Sequence, residues 1–214
     1  NSIDKIVALE SLVEDYPKSS YTDEALFQLG DTYLNLEKYD KAIPPFRRIV
    51  SDFKGKSTLI NASLLKLGLV SVNQGNSSTA INYYKQVFTN NPEPDEAKQS
   101  LDALREIYKD LGRPDEYYAF VESVPGYGNV SSASKDSTFY ESAEAQYNSG
   151  RYAQAIDGFT SYLAKYPTGR NAVNAYFLRG ESYSAQKQYD KALKDYASVI
   201  GKGNSKVYPK AAEK

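Results

Sequence analysis

The chain has 214 residues, of which 41% are hydrophobic and 25% charged, and a formal net charge of −1. That balance excludes a disordered or membrane-embedded polypeptide, and it sets nucleic acid aside as a partner, because a protein that neutralises phosphates carries a clear positive excess. With no Cys and no His there can be no thiol nucleophile, imidazole base, thiol- or imidazole-ligated zinc or disulfide, and we expect no metal and no cofactor.

Taken in chain order, the apolar spacing predicts helices throughout. Residues 3–16 read as a lone helix, with Ile3, Ile6, Val7 and Leu9 at helical spacing and a stop at Tyr16-Pro17. The next helix is predicted over 21–36, where Ala25, Leu26, Leu29, Tyr33 and Leu34 form an i, i+3, i+4 stripe. Another follows over 39–53, with Ala42, Ile43, Phe46, Ile49 and Val50; Pro44 and Pro45 fall within it and predict a locally distorted start. The pair then recurs. Segments 30–46, 68–84, 143–159 and 180–196 align without gaps, and a degenerate copy, 105–121, lies between them. One anchor per copy, Ala42, Ala80, Tyr117, Ala155 and Ala192, gives spacings of 38, 37, 38 and 37 residues. The turn-rich stretch 124–137 reads as a loop between repeats, preceded by a shortened helix. Residues 205–214 read as the start of a further helix. No apolar run reaches the roughly 18 residues that a membrane span needs. The absence of Met and the half-pairs at both ends predict that the chain is a piece of a longer protein.

The recurring residues are Leu26, Leu29, Gly30, Tyr33, Tyr39, Ala42 and Phe46 in the first full copy, and Leu64, Leu67, Gly68, Gly75, Ala80 and Tyr84 in the second. Later copies show Gly150, Tyr152, Ala155, Phe159 and Pro167, then Tyr176, Gly180, Tyr183, Tyr189, Ala192 and Tyr196. This pattern resembles the tetratricopeptide repeat. The resemblance implies an all-α, right-handed α-solenoid of antiparallel helix pairs. The repeats would be 21–56, 57–93, 94–134, 135–169 and 170–204, with half-repeats at 1–20 and 205–214, all in one array over 1–214. The period exceeds the family's usual length, and the Tyr-Pro exits are similar to those of bacterial envelope members: the lipoprotein of the outer-membrane β-barrel assembly machine and the periplasmic protein that works with Tol-Pal. That likeness implies a periplasmic or outer-membrane-associated location, and a cytoplasmic one otherwise. Gly30, Gly68 and Gly180 are mid-helix, where glycine costs about 1 kcal/mol; in the family this glycine admits the partner helix, with Ala42, Ala80, Ala155 and Ala192 as the facing small residues. The third copy departs most, because Arg105 replaces the glycine and Tyr117 the alanine.

In this family the first helices line a concave groove. Counting from the glycine position, one row holds Phe27, Leu65, Asp102, Tyr140 and Phe177, and a second holds Asp31, Leu69, Glu106, Glu144 and Glu181. A third holds Leu34, Val72, Lys109, Tyr147 and Ser184. The resemblance therefore implies partner-binding positions at Phe27, Asp31, Leu65, Glu106, Tyr140, Glu144, Tyr147, Phe177 and Glu181. The occupant expected is a protein or peptide segment with apolar anchors and basic flanks. A free C-terminal carboxylate is not expected, because Phe27 and Asp31 stand where the family's chaperone-tail receptors carry Lys and Asn. The alternative for these aromatic residues is packing against the next repeat, and packing is expected for Tyr33, Tyr39, Tyr152, Tyr183, Tyr189 and Tyr196.

Other motifs are weaker. The glycines at 126–128 and 201–203 lack phosphate-loop spacing. The carboxylate pairs Asp115/Glu116 and Glu141/Glu144 are expected to be solvated faces or local ion pairs. Residues 61–63, 76–78 and 129–131 match the N-glycosylation pattern. The function expected is a non-enzymatic interaction scaffold in a bacterial envelope assembly. The alternatives are a regulatory or targeting module of a larger enzyme, and a glycan- or peptidoglycan-binding solenoid. Ala155→Leu should lower the unfolding free energy by about 1–3 kcal/mol, measured by thermal or urea denaturation, and an unchanged midpoint would contradict the helix-pair packing.

Overall fold

The computed structural model describes residues 2–202; the helix start expected at 205–214 lies outside them. Among the described residues there are eleven α-helices and no strand. They are α1 (Ser2–Asp15), α2 (Thr22–Asn35), α3 (Tyr39–Asp52), α4 (Ile60–Asn73), α5 (Ser77–Val87), α6 (Pro94–Asp110), α7 (Pro114–Ser123), α8 (Ser132–Asn148), α9 (Tyr152–Lys165), α10 (Ala172–Ala185) and α11 (Tyr189–Lys202). This is the all-α helical-repeat class. No helix among the described residues is long and apolar enough to cross a membrane. The chain divides into two compact units, Asn1–Leu104 and Arg105–Lys214, with the boundary inside α6.

In the first unit, α1 to α5 pack each against the next around a core that includes the fully buried Ala42, Phe46, Ile49, Leu64, Val70 and Val87. The contact that sets the distance within a pair is a ring on a glycine. A Cβ on Gly30 would lie 2.8 Å from the Phe46 ring, and one on Gly68 would lie 2.6 Å from the Tyr84 ring. The glycine thus makes room for an aromatic side chain one turn beyond the small residue, rather than for Ala42 or Ala80, both of which are fully buried nearby. The prolines also differ from expectation. Pro44 and Pro45 lie beyond the first turn of α3, and the helix runs through them from Tyr39 to Asp52. The carbonyls of Asp40 and Lys41 lose their helical donors there, which is tolerable because both residues are exposed to water.

The second unit repeats the scheme. Helices α7 to α11 also pack in sequence, and a Cβ on Gly180 would lie 2.7 Å from the Tyr196 ring. In the α8–α9 pair the small residue has changed helix. Ala143 takes the glycine position, and Gly158, on α9, would place a Cβ 2.9 Å from that of Ala143. Helix α7 has ten residues against fourteen in α9. The loop after it is shorter than the 124–137 expected, because α8 starts at Ser132, where the Ser131 hydroxyl accepts a hydrogen bond from the Ser134 amide at 3.2 Å. Two polar clusters tie the later helices together. The buried Tyr162 hydroxyl donates to Asp136 at 2.6 Å and accepts from the Asn171 amide at 3.2 Å. Arg179 on α10 donates to both oxygens of the buried Asp195 on α11, at 2.8 and 2.7 Å.

Every first helix ends the same way. Glu37, Gly75, Gly112, Gly150 and Lys187 all have positive φ, between 56° and 73°. In each case the residue's amide, and the amide after it, donate back to carbonyls of the last turn, as Gly75 to Val72 and Asn76 to Ser71 at 2.8 Å each. This left-handed C-cap reverses the chain in about three residues and recurs with the repeat. Gly68→Ala should destabilise the fold by about 1–3 kcal/mol in urea titration, because the buried Tyr84 ring would have to shift to admit the methyl; a neutral or stabilising effect, as helix propensity alone would give, would contradict the ring-on-glycine contact.

Candidate functional site

The residues expected to bind a partner lie on the first helices, and the two units present different faces. In the first unit, Phe27 is half-buried and its ring meets Phe46 edge-on at 5.5 Å, so part of it belongs to the core. Asp31 accepts an ion pair from Lys66 at 2.5 Å and a hydrogen bond from Asn35 at 3.2 Å. Leu65 is half-buried, packed against the core. Leu69 and Val72, one and two turns further along α4, are each 41% exposed. Leu65, Leu69 and Val72 therefore form a stripe at i, i+4 and i+7 that begins in the core and ends in solvent. Leu34, at the matching place on α2, is buried instead.

The second unit's face is made of tyrosine and glutamate. Tyr140 is buried against Phe159 and Tyr162, with ring centroids 6.0 and 5.7 Å away. Its hydroxyl donates to Glu144 at 2.7 Å. Tyr147 is half-buried and meets Tyr152 edge-on at 5.8 Å. Phe177 is buried beside Tyr196 at 6.0 Å, and the Tyr196 hydroxyl donates to Glu181. Glu106, on α6, is exposed and pairs with Lys109 and Arg105. The anionic row is thus partnered within the chain, but in two ways. Lysine and arginine neutralise Asp31 and Glu106. Glu144 and Glu181 instead each accept a tyrosine hydroxyl.

Leu69 and Val72 stand in the second and third groove rows but outside the expected binding positions; the signal was the apolar Leu69 in an otherwise acidic row. Among the tyrosines expected to pack, Tyr33 and Tyr196 are buried and Tyr39, Tyr152 and Tyr183 are partly so. Tyr189 is the exception at 58% exposed. The carboxylate pairs do not converge on a common point: Asp115 pairs with Lys165 and Glu116 with Arg113. Of the glycosylation patterns, Asn61 is buried and donates to Glu96 at 2.9 Å, and Asn76 caps α5 by accepting from the Thr79 amide at 3.1 Å.

Burial first, then the hydrogen bond to Glu144, pushes the Tyr140 hydroxyl above its ordinary value of 10.0, while a hydrogen bond with Asn174 opposes the rise. Burial and the Glu181 bond raise Tyr196 in the same way, and burial alone raises Tyr84 to about 12. A tyrosine whose pKa is raised on folding keeps its proton when the unfolded chain has begun to lose it. Its contribution to stability is full below pH 10 and is lost as pH rises through the folded value. The urea midpoint should therefore fall steadily from pH 10 upward, and Tyr140→Phe with Tyr196→Phe should flatten that fall.

A family model described as tetratricopeptide repeat matches residues 140–206, and a second with the same description matches residues 24–55 and 62–94. Together they cover more than half of the chain. No curated protein matches it. Among solved structures, a tetratricopeptide repeat protein from Parabacteroides merdae ATCC 43184 is similar with a TM-score of 0.50 and 18% identity, over 98% of this chain and 90% of that one. MamA is similar with a TM-score of 0.45 and 17% identity, over 86% and 93% of the two chains. YrrB, described as a TPR protein with an unusual peptide-binding site, gives 0.44 and 12%, over 96% and 97%. At these identities the likeness is one of fold. With its helix pairs, its ring-on-glycine contacts and the matched segments, the chain belongs to the tetratricopeptide repeat family and is a protein–protein interaction module.

Proposed function

We propose that the chain is a non-enzymatic scaffold that holds a partner segment against its first helices, within a bacterial cell-envelope assembly. The observation that carries the groove reading is the exposed end of the Leu65–Leu69–Val72 stripe on α4. Apolar side chains left in water at helical spacing on one face are the anchors a partner's apolar residues would cover. The Asp31–Lys66 pair beside them is neutral as a unit, so recognition there rests on apolar burial. On the second unit, the basic flanks of a partner would meet Glu144 and Glu181, each of which accepts a tyrosine hydroxyl. The long repeat and its Tyr-Pro exits support the envelope setting. A glycan-stacking surface on the first helices of the second unit would need open rings at Tyr140 and Tyr147, and the first is buried and the second half-buried.

Panning a random peptide library against the purified chain tests this. Enriched peptides should carry spaced apolar residues flanked by Lys or Arg. Leu69→Asp with Val72→Asp should weaken their binding at least about tenfold, or about 1.4 kcal/mol, while the thermal midpoint stays put. Glu144→Lys with Glu181→Lys should weaken peptides with basic flanks and reduce the salt dependence of binding. Enriched peptides that bind all variants equally would overturn the groove reading.

A further inference from the structure

The second unit contains a cavity of about 270 Å³ on the side of α8 and α9 that faces the α6–α7 turn. Its floor is Ser142, Ala143 and Gly158, and its apolar wall includes Leu111, Pro114 and Phe139. At its mouth are Gln154, Asp157 and Ser161, separated by three and then four residues on the same helix, so they share one edge of α9. Gln154 and Asp157 are exposed, and Asp157 has no hydrogen-bond or ion-pair partner among the described residues. The other carboxylate at the cavity, Asp115, is neutralised by Lys165 at 2.9 Å.

The repeat itself shows what this space holds elsewhere. One period later, the positions of Ser142 and Gly158 are taken by Arg179 and Asp195. There the guanidinium is bonded to both oxygens of Asp195 and, at 3.1 Å, to Thr160 on the preceding second helix. At the α8–α9 step both side chains are absent, because the close approach of α9 to Ala143 requires glycine at 158. The positions that an arginine and an aspartate hold in one copy carry serine and glycine in its neighbour, and a carboxylate, an amide and a hydroxyl stand among the residues lining the cavity there.

We propose that this cavity is a second binding site, which receives an arginine side chain of a partner protein. The guanidinium would bond Asp157, with Gln154 and Ser161 as further acceptors, and its aliphatic stem would lie on Leu111 and Pro114. A planar group with five donors suits three acceptors spread along a helix edge better than a lysine ammonium does. The site is apart from the first-helix face and stands independently of the groove reading.

The peptide acetyl-Gly-Arg-Gly-amide, titrated into the 15N-labelled full chain, tests the assignment. The amide signals of Gly112, Gly158 and Ser161 should shift saturably. Asp157→Lys, at an exposed position, should weaken that response at least about tenfold with the spectrum's dispersion kept. Acetyl-Gly-Lys-Gly-amide should bind several-fold more weakly, and Leu69→Asp with Val72→Asp should change nothing. No saturable shift at the three amides, shifts that survive Asp157→Lys, or an equal response to the lysine peptide would each overturn the proposal.

Discussion

The contact between a glycine on one helix and an aromatic ring on the next sets the dimensions of this protein. Phe46 against Gly30, Tyr84 against Gly68 and Tyr196 against Gly180 leave no room for even one added carbon. Each ring buries its area only because the glycine lets it reach the neighbouring backbone, and that burial outweighs the propensity cost of a mid-helix glycine. Once the ring is seated, the two apolar stripes face each other, and the turn between them must be short. The left-handed residue that ends each first helix supplies that turn, and where it is Glu37 or Lys187 rather than glycine the packing of the pair holds the less favoured backbone in place.

Where the contact is altered, the surroundings change with it. In the α8–α9 pair the missing Cβ lies on α9 instead of α8, and Gly158 leaves the seam beside it unfilled. At the same position in the first unit, Tyr83 fills the seam, its hydroxyl accepting from Arg47 at 2.9 Å; in the last pair, Asp195 and Arg179 fill it. Three solutions to one packing position thus give a ring, an ion pair and an open cavity. The same economy of residues explains the tyrosines. A buried phenol needs a partner for its hydroxyl, and Glu10, Glu144, Glu181 and Asp136 each accept from one. The carboxylates that resembled a recognition row are also the acceptors that allow tyrosine to be buried.

Much of the fold was legible before any coordinates. The 37–38 spacing of Ala42, Ala80, Tyr117, Ala155 and Ala192 located the helix pairs, because helical periodicity and small residues at packing points are local signals. The candidate site was less legible. Phe27, Tyr140 and Phe177 are apolar at groove positions, yet two of the three are buried, because a first-helix side chain can turn either toward the groove or toward the next pair. Leu69 and Val72 come from the second and third groove rows and remain exposed.

Residue types at fixed intervals were enough to show that the chain repeats a helix pair, where each pair turns, and that the family is one of protein-binding modules. Which aromatic residue sits on which glycine, how the acidic row divides between lysine and tyrosine partners, and which seam is open all emerge only in three dimensions. Those outcomes depend on side chains from different repeats meeting in space, and spacing along the chain records the interval between them but not the direction each one takes.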